Sequence, residues 1–162
     1  MKKKFYLILP NIRSAHNVGA MFRTADAFGV DKLFLVGYTA TPPKPQIDKV
    51  ALGAELWIPW AGRKDLRRLI VSLQKKDIMV LALEKSDRSI SLENFGKVWK
   101  KESNNKKGIA LIVGNEVTGV PLEIQEKCDA VVHIPMQGRK ESLNVSVAAG
   151  VGMYALSTLI QR

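Results

Sequence analysis

Gly108-Ile-Ala-Leu-Ile-Val-Gly114 decides the fold, because it is an unbroken apolar run of strand length between two glycines. A strand that is apolar on both sides is buried on both faces, which is typical of a parallel sheet between layers of helices. Further short apolar runs fit the same description at 5–9, 32–37, 78–83 and 130–134. Helical segments alternate with them. We therefore predict an α/β fold: a mostly parallel sheet with helices on both faces, forming a single domain over 1–162.

Long helices are predicted in three places. Residues 64–76 carry apolar side chains at helical spacing with basic residues on the other face. Residues 17–28 form a second helix, with Asn17 as its N-cap and Gly29 as its stop. A last helix covers 145–159. The helix lies in an uncharged run, 143–161, which polar residues and glycines interrupt. This run barely reaches the ~20 largely apolar residues that a membrane span needs, so we expect a buried helix and no membrane contact.

The sequence is less informative elsewhere. The proline-rich stretch 41–45 predicts a loop, and short helices are expected near 47–52 and at 121–127. The long segment 86–107 is polar, and its only recognisable feature is a turn that begins at Ser103.

The chain is strongly basic, with 25 Lys and Arg residues against 15 Asp and Glu residues and a net charge of +10. Such a surplus favours a polyanionic partner, because each neutralised phosphate releases condensed counterions. A solubilising surface is the alternative. The single cysteine, Cys128, cannot form an intrachain disulfide and suits a reducing, cytoplasmic compartment. Without a second thiol nearby it offers no metal site, and no metal is expected.

The first polar loop follows the first predicted strand, at the start of the helix 17–28. A helix start offers free N–H groups and a partial positive charge, which suit a phosphate or carboxylate. Arg23 lies six residues after Asn17, almost two turns into the helix. In the simpler interpretation Asn17 only caps the helix and Arg23 is solvated. His16 could act as a base, although a loop histidine more often makes one local hydrogen bond.

The second polar loop, 114–119, follows the strongest buried strand. Its two end glycines let the backbone approach a ligand closely or adopt positive φ. Their spacing superficially resembles a phosphate-binding P-loop, but Val120 and Pro121 stand where Lys and Ser or Thr are needed. A G-x-G-x-x-G dinucleotide fingerprint is also absent from the sequence. Glu116 is therefore either a ligand contact or a group that holds the loop.

The third loop is Ile134-Pro-Met-Gln-Gly-Arg-Lys-Glu-Ser-Leu-Asn-Val-Ser-Val147. A strand ends at Ile134, a loop with a proline and a glycine follows, and Ser142 and Asn144 precede an apolar helix. A helix cap accounts for one of these polar residues. It does not account for a polar loop that leads into such a buried helix.

Taken in this order, the three loops resemble the SpoU family of RNA ribose 2′-O-methyltransferases, also called TrmH-like. The family's first motif is similar to Asn-x-Gly-Ala-x-x-Arg-Thr-Ala at 17–25, and its second to Val-Gly-Asn-Glu-x-x-Gly at 113–119. The third is similar to Ile-Pro-Met-x-Gly-x-x-x-Ser-Leu-Asn-Val-Ser-Val at 134–147 and is highly specific. The resemblance spans nearly the whole chain.

This resemblance implies a deep C-terminal trefoil knot of the SPOUT type, which periodicity cannot reveal. It also implies S-adenosylmethionine as the methyl donor and a homodimer whose active site draws on both subunits. Arg23 is then the catalytic arginine. The other implied catalytic residues are Asn17, Glu116, Ser142 and Asn144. The implied cofactor-binding residues are Leu83, Gly114, Asn115, Ile134, Pro135, Met136, Ser142 and Leu143.

Structured RNA is the implied substrate, and we favour transfer RNA over ribosomal RNA because a small domain suits a compact substrate. Family members often carry an additional RNA-binding domain. Since the first strand begins close to Met1, we expect a minimal domain without an N-terminal RNA-binding extension. The RNA contacts must then come from its own basic residues: Arg13, Arg63, Arg67, Arg68, Arg139 and Lys140. The alternatives are a non-catalytic RNA-binding protein, a nucleotide-dependent α/β enzyme and a knotted base methyltransferase.

Overall fold

The computed structural model describes residues 1–160, so the last two residues of the predicted domain, 161–162, lie outside it. Within it, all strand pairs of one seven-stranded sheet are parallel, in the order β3-β2-β1-β6-β4-β7-β5. The strands are β1 Lys4–Pro10, β2 Lys32–Val36, β3 Trp60–Arg63, β4 Ile78–Leu83, β5 Ile90–Ser91, β6 Gly108–Ile112 and β7 Ala130–His133. The prediction of a mostly parallel sheet is confirmed.

Helices lie on both faces of this sheet, as predicted, and each face has its own core. They are α1 Ala15–Ala27, α2 Pro45–Ala51, α3 Ala54–Trp57, α4 Leu66–Gln74, α5 Leu92–Glu102, α6 Leu122–Gln125 and α7 Val145–Ile160. Leu7 and Leu9 of β1 pack into the core under α1, α5 and α7, whereas Ile8 packs into the core under α4 and α6. The alternation follows from the two-residue period of a strand.

The start of α1 differs from the prediction. The helix begins at Ala15, and its N-cap is Ser14, whose hydroxyl accepts a hydrogen bond from the backbone N–H of Asn17 at 3.2 Å. Asn17 as N-cap is therefore wrong. Its side chain is instead available for a tertiary contact. The predicted stop holds, because Gly29 adopts a left-handed φ of 68° just beyond the helix.

Four elements were not predicted: α3, β3, β5 and α5. Helix α5 lies in the polar segment 86–107, where Leu92, Phe95 and Trp99 are its buried residues, and their spacing is helical. Strand β3 is a short edge strand with no buried residue, so it lacks the apolar run of the central strands. The predicted turn at 103–105 is present directly after α5.

The order of the strands places β7 between β4 and β5. The connection from β4 to β5, residues 84–89, therefore has to cross β7. It begins with the N–H of Glu84 donating to the carbonyl of Val132 on β7 at 2.9 Å. Because the sheet is parallel, the loops after β1, β4, β6 and β7 leave the sheet at one edge. Among the described helices, none combines the length and apolar character that a membrane crossing requires.

Candidate active site

A cleft of about 880 Å³ opens at the carboxyl ends of β4, β6 and β7. Its volume lies within the range of ~300–1,000 Å³ that is usual for small-molecule sites. Nine of the predicted catalytic and cofactor-binding residues line it: Leu83, Gly114, Asn115, Glu116, Ile134, Met136, Ser142, Leu143 and Asn144. Pro135 lies between two lining residues without lining the cleft itself. The loops that follow β4, β6 and β7 thus meet at one place.

Glu116 connects the second polar loop to the first. Its carboxylate accepts hydrogen bonds from the backbone N–H groups of Arg13 at 3.0 Å and Ser14 at 3.1 Å, and from the Asn17 side-chain amide at 3.3 Å. Partial burial alone would raise the pKa of Glu116. The hydrogen bonds outweigh it and hold this pKa below its usual value. Glu116 therefore stays ionised at neutral pH, where it fixes the start of α1 beside the cleft.

The loop 114–119 is closed on itself. Asn115 and Gly119 exchange two backbone hydrogen bonds at 3.0 and 3.2 Å, and the Asn115 side-chain oxygen accepts from the N–H groups of Val117 and Thr118. Gly119 has a φ of 64°, and a Cβ there would lie 2.2 Å from a carboxylate oxygen of Glu84. A Cβ on Gly114 would lie 2.8 Å from the Cα of Gly119. Neighbouring atoms therefore approach these two positions so closely that only glycine fits at either of them.

The opposite wall of the cleft is the segment 134–144. Asn144 acts as a helix cap, because its side-chain oxygen accepts from the N–H of Ser146 at 2.9 Å and from its hydroxyl at 2.6 Å. The Asn144 amide nitrogen, however, has no partner among residues 1–160. Ser142 is exposed and also lines the cleft. This wall therefore presents polar groups to the cleft that the described chain leaves unbonded.

Arg23 lies apart from these residues, on the exposed surface of α1. Six residues of helix separate it from Asn17 by about 9 Å along the axis and by roughly 120° around it. It is not among the residues that line the cleft. Its neighbour Thr24 lines a separate shallow groove between α1 and α7, where Val147, Val151 and Tyr154 are exposed.

The predicted RNA-binding residues are all exposed. Arg63 ends β3, and Arg67 and Arg68 lie in the first turn of α4, so all three are at the same sheet edge as the cleft. Arg67 forms an ion pair with Glu123 at 2.6 Å. The remaining basic residues, Arg13, Arg139 and Lys140, belong to the loops around the cleft, and Lys140 lines it.

Glu84 and His133 also line the cleft, and neither was predicted. Glu84 follows β4 directly and accepts a hydrogen bond from the N–H of Val120 at 2.8 Å. His133 ends β7, and its Nδ1 is buried without a partner in the described chain. The rule that ligand sites lie beyond strand ends could have indicated both positions.

Metal-binding groups are not found among residues 1–160, where no three His, Cys, Asp or Glu side chains are arranged to hold an ion. Burial, helped by the charge of Asp129, raises the pKa of the Cys128 thiol to about 12. Cys128 is therefore neither a thiolate ligand nor a nucleophile at neutral pH.

Residues 4–154 match the model of the SpoU rRNA Methylase family, and the chain belongs to this family. It is 36% identical over 155 residues to a Xylella fastidiosa protein named 23S rRNA (guanosine-2'-O-)-methyltransferase RlmB, covering 91% of this chain and 56% of the relative. A Coxiella burnetii protein of the same name is 33% identical over 148 residues, covering 91% and 56%. The chain spans little more than half the length of these curated relatives.

Solved structures named as RNA methyltransferases or RNA-modifying enzymes share the fold of this chain. An AdoMet-bound rRNA methyltransferase from Sinorhizobium meliloti superposes with a TM-score of 0.82 at 27% identity, covering 96% of this chain and 56% of the other. The A. aeolicus TrmH/SpoU tRNA modifying enzyme superposes with a TM-score of 0.80 at 26% identity, covering 99% and 82%. The family predicted from the three loops is confirmed.

Proposed function

We propose that this protein transfers a methyl group from S-adenosylmethionine to a ribose 2′-hydroxyl of structured RNA. The observation that carries the proposal is that the second and third motifs line one cleft of ligand size, and that Glu116 connects the first motif to it. The names of the relatives support the reaction, and the net charge of +10 supports an RNA substrate.

The cleft suits S-adenosylmethionine. Leu83, Ile134 and Leu143 offer apolar surface, the two close glycines bring backbone to the ligand, and Nδ1 of His133 is a buried polar atom in need of a partner. The AdoMet-bound neighbour supports this choice. When bound, the cofactor supplies an electrophilic methyl group on a sulfonium sulfur.

The protein's own part is to position the ribose. The acceptor oxygen has to lie in line with the methyl group, and such positioning supplies much of the rate. An arginine is a poor base, because a guanidinium keeps its proton in proteins. We propose that Arg23 holds the target phosphate and the 2′-oxygen, while the hydroxyl proton passes to that phosphate. Ser142 and the unbonded amide of Asn144 then orient the ribose or Arg23.

The place of Arg23 outside its own cleft supports a site shared between two subunits. The groove between α1 and α7 exposes apolar side chains beside Arg23 and suits a second copy of the chain. In the homodimer that we propose, this groove is covered and Arg23 reaches the partner's cleft. We also propose the C-terminal knot, which the insertion of β7 between β4 and β5 supports.

The RNA substrate that we propose is either ribosomal RNA or transfer RNA. Relatives named for 23S rRNA favour ribosomal RNA, whereas a neighbour named as a tRNA modifying enzyme agrees with our expectation of transfer RNA. Preference for transfer RNA and cytoplasmic localisation stay predictions, as do a single domain without an N-terminal extension and the six RNA contacts. Mapping 2′-O-methyl sites in cells with and without the protein would identify the RNA.

The reaction is tested with purified protein, radiolabelled S-adenosylmethionine and unmodified RNA. Nuclease digestion and mass spectrometry should find 2′-O-methyl nucleosides. Base-methylated nucleosides would instead indicate a knotted base methyltransferase, and RNA binding without transfer would indicate a non-catalytic protein. Arg23→Ala should lower turnover at least about a hundredfold while cofactor binding stays normal; near-normal turnover of this variant would refute the role of Arg23.

Mixing two inactive variants tests the shared site. A mixed dimer of Arg23→Ala and Asn144→Asp contains one site with both wild-type side chains if Arg23 acts in the partner's cleft. Random exchange makes half of the dimers mixed, so about a quarter of wild-type activity should return. If Arg23 acted within its own subunit, mixing would restore nothing.

A further inference from the structure

Tyr38 is exposed and yet held at both ends. It lies in the loop after β2, with 59% of its surface accessible. Its hydroxyl oxygen accepts a hydrogen bond from the Asn115 side-chain amide at 3.0 Å, and its backbone N–H donates to the Asn11 side-chain oxygen at 3.1 Å. These contacts fix the ring while leaving it in solvent.

The backbone around Tyr38 is built to allow these contacts. Asn11 adopts a positive φ of 51°, and its carbonyl also accepts from the Asn115 amide. Gly37 has a φ of 66°, and a Cβ there would lie 2.0 Å from the Asn11 side-chain oxygen. The loops after β1, β2 and β6 are thus joined at one point. Asn115 is part of that point and also lines the cleft.

The loop that carries Tyr38 has basic residues on either side of it. Arg13 follows β1 and Arg63 ends β3, on either side of the β2 loop at the same edge of the sheet. The backbone N–H of Gly37 donates to the carbonyl of Arg63 at 2.9 Å, so Arg63 adjoins this loop. Both arginines are exposed. A fixed aromatic ring beside a cleft, on a loop with an arginine at the end of each neighbouring strand, has the composition of a surface that binds single-stranded nucleic acid.

We infer that Tyr38 stacks on an unpaired RNA base next to the nucleotide whose ribose enters the cleft. The inference rests on the RNA substrate of the proposed function. Stacking uses the ring face and tolerates any base, so Tyr38 holds the RNA strand at the cleft and does not read its sequence. Since the ring is already fixed, little side-chain entropy is lost when a base binds.

The test compares Tyr38→Leu, which removes the ring, with Tyr38→Phe, which keeps the ring and removes only the hydroxyl. Trp57→Leu is the matched control. Trp57 is 58% exposed, but it precedes β3 and therefore lies at the amino ends of the strands, opposite to the cleft. The probe is an oligouridine of roughly a dozen nucleotides with one 5-iodouridine, a photoreactive base that crosslinks to stacked aromatic rings. Affinity for this probe, crosslinked peptides and affinity for S-adenosylmethionine are measured for each protein.

Tyr38→Leu should raise the Kd for the probe roughly tenfold to a hundredfold and lose the crosslink at position 38. Tyr38→Phe and Trp57→Leu should stay within about twofold of wild type, with cofactor affinity unchanged in all three. Equal losses in the Leu and Phe variants would overturn the inference in favour of loop positioning by the hydroxyl. Wild-type affinity and crosslinking in Tyr38→Leu would overturn it alone, whereas a wild-type protein that bound no RNA would overturn the proposed function with it.

Discussion

The two walls of the cleft are built differently. The loop 114–119 is closed by its own hydrogen bonds and tied through Glu116 to the start of α1. The facing residues 135–143 form no hydrogen bond with one another or with any other residue in 1–160. They are half-buried or exposed, and only Asn144 at their end is bonded, to the helix that it caps.

This difference assigns the walls different tasks. A wall held by many hydrogen bonds keeps its shape whether or not a ligand is present, and so fixes where the substrate can lie. A wall without such bonds has its polar groups available for ligand or partner subunit. Substitutions in loop 114–119 should therefore change stability and binding together, whereas those in 135–144 should change activity more than stability.

The largest expected effect is at Asn144, where capping and catalysis can be separated. Asn144→Asp keeps the side-chain oxygen that caps α7 but loses the amide donor, so turnover should fall about a hundredfold while thermal stability is retained. Asn144→Ala should lose both, at a stability cost of about 1 kcal/mol. Gln137→Ala, in the same wall but not lining the cleft, is the control. Full turnover of Asn144→Asp would leave Asn144 a cap alone.

A pair of glycine substitutions compares the rigidity of the two walls directly. Gly119→Ala forces a side chain into a left-handed φ and against Glu84, so it should destabilise the protein by roughly 2 kcal/mol and weaken cofactor binding. Gly138→Ala meets nothing within 4 Å and should change stability by less than about 0.5 kcal/mol. Chemical denaturation measures both. Equal losses would show that the walls do not differ in rigidity.

Elements with a clear apolar pattern could be predicted from the sequence, and elements without one could not. The central strands were predictable because an apolar run such as 108–114 has few alternatives to a buried strand. Helix α5 was not, since its three buried residues stand among lysines and polar residues, which hid their spacing. The cap of α1 was misassigned because Ser14 and Asn17 both suit an N-cap, and only the fold shows that Asn17 faces Glu116.

Site residues that belong to a sequence motif could be predicted. Site residues whose role depends on contacts between distant parts of the chain could not. The nine predicted catalytic and cofactor-binding residues that line the cleft all belong to strand ends or motif loops that the sequence marks. Glu84 and Tyr38 carry no motif, because their roles depend on neighbours more than 30 residues away in the chain, Val120 for Glu84 and Asn115 for Tyr38. The pattern of residues alone did not indicate the separation of Arg23 from its own cleft, although the family resemblance implies a site that draws on both subunits.

The effect of pH should identify Glu116 as the group that connects loop 114–119 to the start of α1. The pKa of Glu116 is lowered in the folded protein, so its ionised form stabilises the fold above the unfolded pKa of ~4.3. That contribution is lost as pH falls through the lower folded value. The Tm of wild type should therefore exceed that of Glu116→Gln at neutral pH, and the difference should shrink as pH falls below the unfolded pKa and vanish below the folded pKa. A difference that is constant with pH would assign the effect to packing.

The smallest expected effect is a change in hydrogen exchange when S-adenosylmethionine is added. The amides of 136–143 lack partners in the described chain and should exchange fast in the free protein, whereas those of 115 and 119 are already bonded to each other. If the ligand supplies the missing contacts, protection should rise several-fold in the first group and little in the second. Equal protection of both walls would mean that the ligand stabilises the whole domain. Protection of 136–143 before any ligand is added would mean that the partner subunit already covers this wall, and dilution of the dimer would then remove it.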